Sequence, residues 1–280
     1  MPDSLIDLDG QSSRHGLVRE PRVLVAIPVY NEEKYVAGVL AQVLEYADDV
    51  LVIDDGSTDR TVAMLPRLNV DVIRHKKNLG YGRSLKDAFI WATTHGYDWV
   101  VTMDCDEQHE PQAIPSFIAA LAENRADVVS GSRYLHIEDA LGSPPPERRA
   151  INGEITSEIN ERLGLQLSDS FCGFKAYRVE ALARLSLTED GYAFPMQFWV
   201  QSVAKGLRIR EIPVKLIYND PNRSFGAHLD DARVRLAHYR QVLHTELERC
   251  GALLPPEALE ELTHRCACAG AGAGAARGMP

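Results

Sequence analysis

The stretch Asp98-Trp99-Val100-Val101-Thr102-Met103-Asp104-Cys105-Asp106-Glu107-Gln108-His109-Glu110-Pro111 decides the fold. An apolar run closes on two carboxylates one residue apart. A proline then opens an amphipathic segment with Ile114, Phe117, Ile118 and Leu121 at helical spacing. The stretch reads as strand, acidic turn, helix. In an open parallel sheet, ligands sit beyond the carboxyl ends of the strands, which is where Asp104 and Asp106 fall. Alternate residues of an extended turn point the same way, so both carboxylates reach one hard cation. Mg2+ or Mn2+ held there keeps open positions for a diphosphate, because such ions take oxygen ligands and share them with substrate phosphates. The same tripeptide also occurs as an acidic turn that only solvates its loop, so the rest of the chain decides.

Toward the N-terminus the pattern repeats. Residues 1–20 are polar and aperiodic and read as a mobile arm. Val23-Leu24-Val25-Ala26-Ile27-Pro28-Val29 is a continuous apolar run, the signature of a strand buried on both faces. Asn31 is placed to cap a helix carrying Val36, Val39, Leu40, Val43, Leu44 and Ala47. A second strand, residues 50–53, ends in Asp54-Asp55-Gly56-Ser57-Thr58-Asp59, with Ser57 or Thr58 as the next cap. A short apolar stretch at 70–73 precedes Asn78-Leu79-Gly80-Tyr81-Gly82-Arg83-Ser84 and another helical segment. Strands alternating with helices predict a mostly parallel sheet. The Gly80-x-Gly82 pair lacks the third glycine of a dinucleotide fingerprint, Leu85 standing there, which excludes a Rossmann dehydrogenase.

Toward the C-terminus, residues 126–134 read as a strand ending in Arg133. Residues 137–147, with Pro144-Pro145-Pro146, read as a loop opening onto Arg148-Arg149 and a helix through Leu163. A turn and short strand at 168–178 and an apolar helix at 195–205 follow. The alternation of Ile212, Val214, Leu216 and Tyr218 predicts an antiparallel edge strand that tolerates Pro213. A loop at 219–226 carries Arg223. A helix over about 228–250 puts Leu229, Ala232, Leu236, Leu243 and Leu247 on one side and Arg233, Arg235 and Arg240 on a solvated basic face. A last weak helix lies near 257–262, and an Ala/Gly-rich tail follows. The domain plan is an arm (1–20), one α/β domain (21–226), a helical extension (227–264) and a disordered tail (265–280).

Size and charge narrow the function. At 280 residues with 45% hydrophobic and 25% charged residues, the chain supports one large α/β domain with appendages. A net charge of −10 excludes a nucleic-acid surface, so any anionic ligand is captured locally. No apolar run spans a bilayer and the start lacks signal-peptide character, which predicts a cytoplasmic chain, at most peripheral at a membrane. Cys105, Cys172, Cys250, Cys266 and Cys268 are too scattered for a zinc knuckle and read as free thiols.

Six segments occur in one order: Pro28-Val29-Tyr30-Asn31-Glu32, Asp54-Asp55-Gly56-Ser57-x-Asp59, Asn78-Leu79-Gly80, Met103-Asp104-Cys105-Asp106, Ser130-Gly131-Ser132-Arg133-Tyr134 and Cys172-Gly173-Phe174-Lys175. Together, over about residues 22–226, they resemble the family 2 glycosyltransferases of GT-A fold, on the dolichyl-phosphate mannose synthase-like branch. The resemblance implies an α/β fold with a mostly parallel sheet, an antiparallel edge and a C-terminal helix. It implies a UDP- or GDP-linked sugar as donor, contacted by Pro28, Tyr30, Glu32, Asp54 or Asp55, Gly80, Asp104 and Cys105. Arg223 would lie over the diphosphate, on a loop that departs from the family's Gly-x-Ser-Lys. Mg2+ or Mn2+ would be held by Asp104, Asp106 and Gln108, with Asp106 also serving catalysis. Asp169 matches the acidic position proposed as a base. Arg133 and Arg149, with Arg148 as alternate, match positions flanking the phosphate of a polyprenyl-phosphate acceptor.

The resemblance also implies inversion by direct attack of the acceptor. A hydroxyl acceptor needs its proton removed, whereas a phosphate monoester, with a second pKa of about 6, is already largely ionised. Glu147 and Glu154 are alternative ion-pair partners for the arginines. A soluble hydroxyl acceptor is the alternative to a lipid phosphate. A phosphatase of Asp-x-Asp type would need a hydroxyl residue where Glu107-Gln108 stand. A non-catalytic nucleotide-sugar binding protein is the remaining alternative, because Gln197 stands where many relatives have glutamate.

Overall fold

The computed structural model describes residues 19–136, 141–218 and 227–260. Its elements run β1 (Val23–Val29), α1 (Val36–Val43), β2 (Val50–Asp54), α2 (Thr61–Met64), β3 (Asp71–Arg74), α3 (Tyr81–Thr94), β4 (Trp99–Thr102) and α4 (Ile114–Ala122). They continue with β5 (Val128–Ser132), α5 (Pro146–Leu163), β6 (Lys175–Arg178), α6 (Val179–Leu182), α7 (Phe194–Ala204), β7 (Ile209–Pro213) and α8 (Ala232–Cys250). The strands form one sheet in the order β3-β2-β1-β4-β6-β5-β7.

The continuous apolar strands are explained by burial on two faces. Leu24, Ala26, Leu51, Ile53 and Val100 face one core, with side chains of α3, α5, α7 and α8. Val25, Ile27, Val29, Val50, Val52 and Val101 face the other, with α1 and α4. Alternate residues of one strand thus serve opposite cores, and neither face is left for polar side chains.

Strand order places the site. From β1 the chain winds outward through β2 to β3, then returns to lay β4 on the other side of β1. The order reverses between β1 and β4, and a crevice opens there beyond their carboxyl ends. The loop after β1 and the turn after β4 both leave the sheet on that side.

The mixed sheet matches expectation, with two corrections of detail. β7 does lie at the edge, but it ends at Pro213, so Val214, Leu216 and Tyr218 of the expected strand follow it, and it pairs in parallel with β5, Val128 opposite Ile209. The antiparallel strand is β6, third from that edge, bonded on one side to β4 and on the other to β5. Asn31 does not cap α1, which starts five residues later at Val36 without a side-chain cap. Asn31 instead adopts φ +57° and its Oδ1 accepts the N–H of Thr58 at 2.8 Å, joining the loop after β1 to the loop after β2.

Pro111 opens a 3-10 turn, Pro111–Ala113, that leads into α4. Pro146, read as loop, begins α5, where a missing N–H costs nothing. The expected basic face of α8 is not simply solvated. Arg235 is buried and donates to the Leu229 carbonyl at 2.7 Å, and Arg240 pairs with Glu154 and Glu158 of α5. The weak last helix is a 3-10 turn, Pro256–Leu259. Cys105, Cys172 and Cys250 are free thiols. The arm at 1–18, the loop at 219–226 with Arg223, and the tail from 261 lie outside the described residues. No helix among the described residues is long and apolar enough to cross a membrane.

Candidate active site

One end of the crevice is built from three loops stitched by side chains. Asn31 N–H donates to Ser57 Oγ at 2.9 Å, and Glu32 N–H to Thr61 Oγ1 at 2.9 Å. Asp54 is fully buried: Oδ1 accepts the Ser57 N–H at 2.9 Å, and Oδ2 lies 3.3 Å from Arg74 Nε. Asp55 accepts the N–H of Leu79 at 2.7 Å and of Gly80 at 2.9 Å. Gly80 has φ +107°, and a Cβ there would meet the Asp190 carbonyl at 2.3 Å, so backbone must pass where a side chain cannot. Pro28, Tyr30, Glu32, Asp54, Asp55 and Gly80 thus share one rim. Tyr30 is exposed on it, whereas the two aspartates are occupied in holding loops.

The acidic turn after β4 is fixed from several sides. His109 is buried, and burial pushes its pKa down to about 4, so at neutral pH the ring is uncharged. Its Nδ1 accepts the N–H of Asp104 at 3.0 Å, which leaves Nε2 as the protonated nitrogen, facing Cys172 Sγ at 3.8 Å. His109 is therefore a brace for the turn. Glu107 takes φ +59°, a left-handed conformation that non-glycine residues rarely adopt, and Asp106 Oδ1 accepts the Gln108 N–H at 3.0 Å. On the far side, a Cβ on Gly173 would lie 2.6 Å from Asp104 Oδ2, so the Asp104 carboxylate rests directly against the Gly173 backbone. Tyr81, at the start of α3, gives its hydroxyl to Asp104, and burial together with that carboxylate raises its pKa.

These residues fit a divalent ion. Among the described residues, no three His, Cys, Asp or Glu converge as a ready-made cage. The donor set is the partly exposed Asp104 carboxylate and the buried Asp106 carboxylate, with the Gln108 side chain next in the turn able to offer its amide oxygen. A small, oxygen-rich set of this kind suits Mg2+ or Mn2+ whose remaining ligands come from substrate and water.

A second cluster centres on Asp169, 1% exposed. Its Oδ2 accepts Arg133 Nε at 2.6 Å and the Arg133 N–H at 3.2 Å. Its Oδ1 accepts Arg133 Nη2 at 2.9 Å and the N–H groups of Phe171 and Cys172 at 3.2 and 3.1 Å. Burial alone would raise the Asp169 pKa; the Arg133 guanidinium outweighs it and holds the carboxyl below its ordinary range. Five donors on a strongly ionised carboxylate count against proton abstraction and for an orienting role. They also count against Arg133 as a phosphate ligand, because its fork is spent on Asp169, a partner 36 residues away rather than Glu147 or Glu154. Arg149 remains exposed, its guanidinium 5.9 Å from the Tyr134 ring, and Arg148 lies 5.7 Å from the Tyr218 ring.

Sequence reasoning gave no role to four residues that organise the site. Lys175 is buried, donates to the Cys172 carbonyl and lies 5.4 Å from the Trp199 ring. Glu211 of β7 accepts the N–H groups of Ser168 at 2.8 Å and Asp169 at 3.1 Å. His109, which braces the acidic turn, and His75 carry no signal in the sequence beyond their places after a carboxylate pair and after a short strand. Gln197 accepts the N–H of Thr188 at 2.6 Å and of Glu189 at 2.9 Å and donates to the buried Glu246 of α8, a structural task.

Comparison with known proteins agrees with this architecture. Residues 24–186 match the family described as Glycosyl transferase family 2. An undecaprenyl-phosphate mannosyltransferase of Micrococcus luteus is 30% identical over 213 residues, covering 72% of this chain and 86% of that protein. A polyprenol monophosphomannose synthase of Mycolicibacterium smegmatis is 27% identical over 231 residues, covering 78% and 86%. In fold, the chain superposes on glucosyl-3-phosphoglycerate synthase from Mycobacterium tuberculosis, crystallised with Mn2+, UDP-glucose and phosphoglyceric acid. That match has a TM-score of 0.62 at 21% identity and covers 84% of this chain and 81% of that one. With the family match spanning more than half its length, the chain belongs to the family 2 glycosyltransferases.

Proposed function

We propose that this glycosyltransferase moves a sugar, with inversion, from a nucleotide-diphosphate sugar to a polyprenyl phosphate, using Mg2+ or Mn2+ at Asp104 and Asp106. The single observation that carries the acceptor class is the saturated state of Asp169. A carboxylate that already accepts five hydrogen bonds, with its pKa held down, is a poor base for a hydroxyl. A phosphate monoester is mostly ionised at neutral pH and needs none. The names of the two relatives point to the same acceptor class.

In this reading the loops after β1 and β2 and the 77–80 turn hold the nucleotide. Asp104 and Asp106, with Gln108, face the diphosphate. A bound divalent ion would supply Lewis-acid stabilisation of the departing diphosphate. Asp169 fixes Arg133 and the 171–172 turn, and Arg149 and Arg148 on the first turn of α5 receive the acceptor phosphate. Guanidinium groups suit that task by charge and geometry. With no membrane-crossing helix among the described residues, access to a lipid acceptor would be peripheral.

The test is transfer of labelled sugar from UDP- and GDP-linked donors, with Mn2+, to short-chain polyprenyl phosphate and to the matching polyprenol. Labelled product on the phosphate only, lost in Asp104→Asn and Asp106→Asn, is expected. Equal transfer to the alcohol or to soluble hydroxyl compounds would overturn the acceptor assignment.

A further inference from the structure

Behind the donor rim, His75 lies just past the end of β3, 8% exposed. Each ring nitrogen faces a carboxylate: Nδ1 is 2.7 Å from Asp55 Oδ1, and Nε2 is 2.9 Å from Asp87 Oδ2 on α3. Asp87 is held in turn by Arg83 Nε at 2.8 Å. The His75 N–H donates to the Asp54 carbonyl at 2.8 Å, prolonging the pairing of β2 with β3 to the rim.

Asp55 is the bracket that His75 braces. Besides the N–H groups of Leu79 and Gly80, it is tied through its own N–H to the Val29 carbonyl at 2.9 Å. One residue thus joins the ends of β1 and β2 to the turn before α3. The fit is close: a Cβ on Gly56 would sit 2.3 Å from the Lys77 carbonyl carbon, so the two loops touch through bare backbone. The position demands a polar group with two opposed nitrogens: an apolar side chain there would leave the buried Asp55 carboxylate without this partner, and packing alone does not call for a ring that reaches Asp87 as well.

We propose that His75 is a positioning residue of the donor site. Acting through Asp55, it sets the spacing between the 54–59 loop and the 77–80 turn, and thereby the pocket for the nucleoside diphosphate. The inference rests on the functional reading above. His75 stands behind the pocket, so its loss acts on donor affinity rather than on the chemical step.

Two near-isosteric variants divide its bonds. In His75→Asn the amide nitrogen takes the place of Nδ1 and keeps the Asp55 contact; in His75→Gln it takes the place of Nε2 and keeps only Asp87. Calorimetric titration with UDP and with GDP, each with MnCl2, is combined with donor KM, kcat and thermal melts. His75→Gln is expected to weaken the better nucleotide at least tenfold and His75→Asn less than threefold, with kcat at saturating donor within twofold for both. Binding by His75→Gln within threefold of wild type, or equal impairment of the two variants, overturns the positioning role. Should His75→Gln fail to fold, Asp87→Asn takes its place: a loss of threefold or more supports the role, and unchanged affinity overturns it. A wild-type chain that binds neither nucleotide refutes the functional reading itself and this inference with it.

Discussion

The fork between Arg133 and Asp169 makes a sharp prediction about both stability and chemistry. The pair is buried, with side-chain exposures of 16% and 1%. Removing one partner leaves an uncompensated charge, which typically costs about 3–5 kcal/mol, whereas replacing both by apolar groups is often close to neutral. Asp169→Leu and Arg133→Met should each lose that amount, and the double variant should be more stable than either single one. The total stability of a domain is about 5–15 kcal/mol, so each single variant should remain foldable but with a clearly lower urea midpoint. Urea unfolding of all four proteins gives the coupling energy directly. Single losses below about 1 kcal/mol that simply add in the double variant would refute the reasoning. The same logic fixes the activity. If Asp169 orients rather than abstracts, Asp169→Asn should lower the rate on a phosphate acceptor through misplacement of Arg133 and the 171–172 turn. The loss should then be the same at every pH; a deficit that shrinks as pH rises would show that the carboxylate takes a proton.

Other expectations follow from single contacts. Gly173→Ala should push the Asp104 carboxylate aside, because the new Cβ would lie 2.6 Å from Oδ2; kcat should fall tenfold or more, for an overpacking cost of about 1–3 kcal/mol measured in urea. Gly80→Ala combines φ +107° with a 2.3 Å clash against the Asp190 carbonyl, so soluble expression or melting temperature should drop while Gly96→Ala, with open space around it, should be milder. Asp127, held by a hydrogen bond from Arg208, has its pKa lowered to about 2 from 3.8. It should contribute stability above pH 3.8 that is lost as pH falls through about 2, at most about 2 kcal/mol because Arg208 is half exposed. Asp127→Asn should therefore be less stable at pH 7, converge with wild type near pH 2, and leave glycosyl transfer unchanged.

Much of the fold was legible because it depends on local pattern. The apolar runs of β1, β2 and β4 each end in polar turns, and the acidic turn with its following helix lies where the sequence put it. Pairings across long separations were not legible. Nothing near Arg133 announces Asp169 as its partner, and nothing in α8 announces that Arg240 would meet Glu154 and Glu158, more than 80 residues earlier. Strand direction failed for the same reason: the alternation at 212–218 reports two unlike faces, but which neighbour β7 meets, and in which sense, is set by the crossover. Asn31 misled because asparagine serves both as a helix cap and as a left-handed turn residue, and its use here depends on the loop it meets after β2.

β6 runs against every other strand in the sheet, so it starts where its neighbour β5 finishes. The excursion between them, carrying the arginines of α5 and the Asp169 turn, therefore leaves from and returns to the same side of the molecule. Its two ends are pinned a strand apart by Ser130 opposite Lys175. Its departure past Ser132 and its return are not equivalent, however: the return through Cys172 and Gly173 lies against His109 and the Asp104 carboxylate, so any change of length has to spare that end. One antiparallel strand thus brings a long detour back to the turn after β4, and couples the two by direct contact.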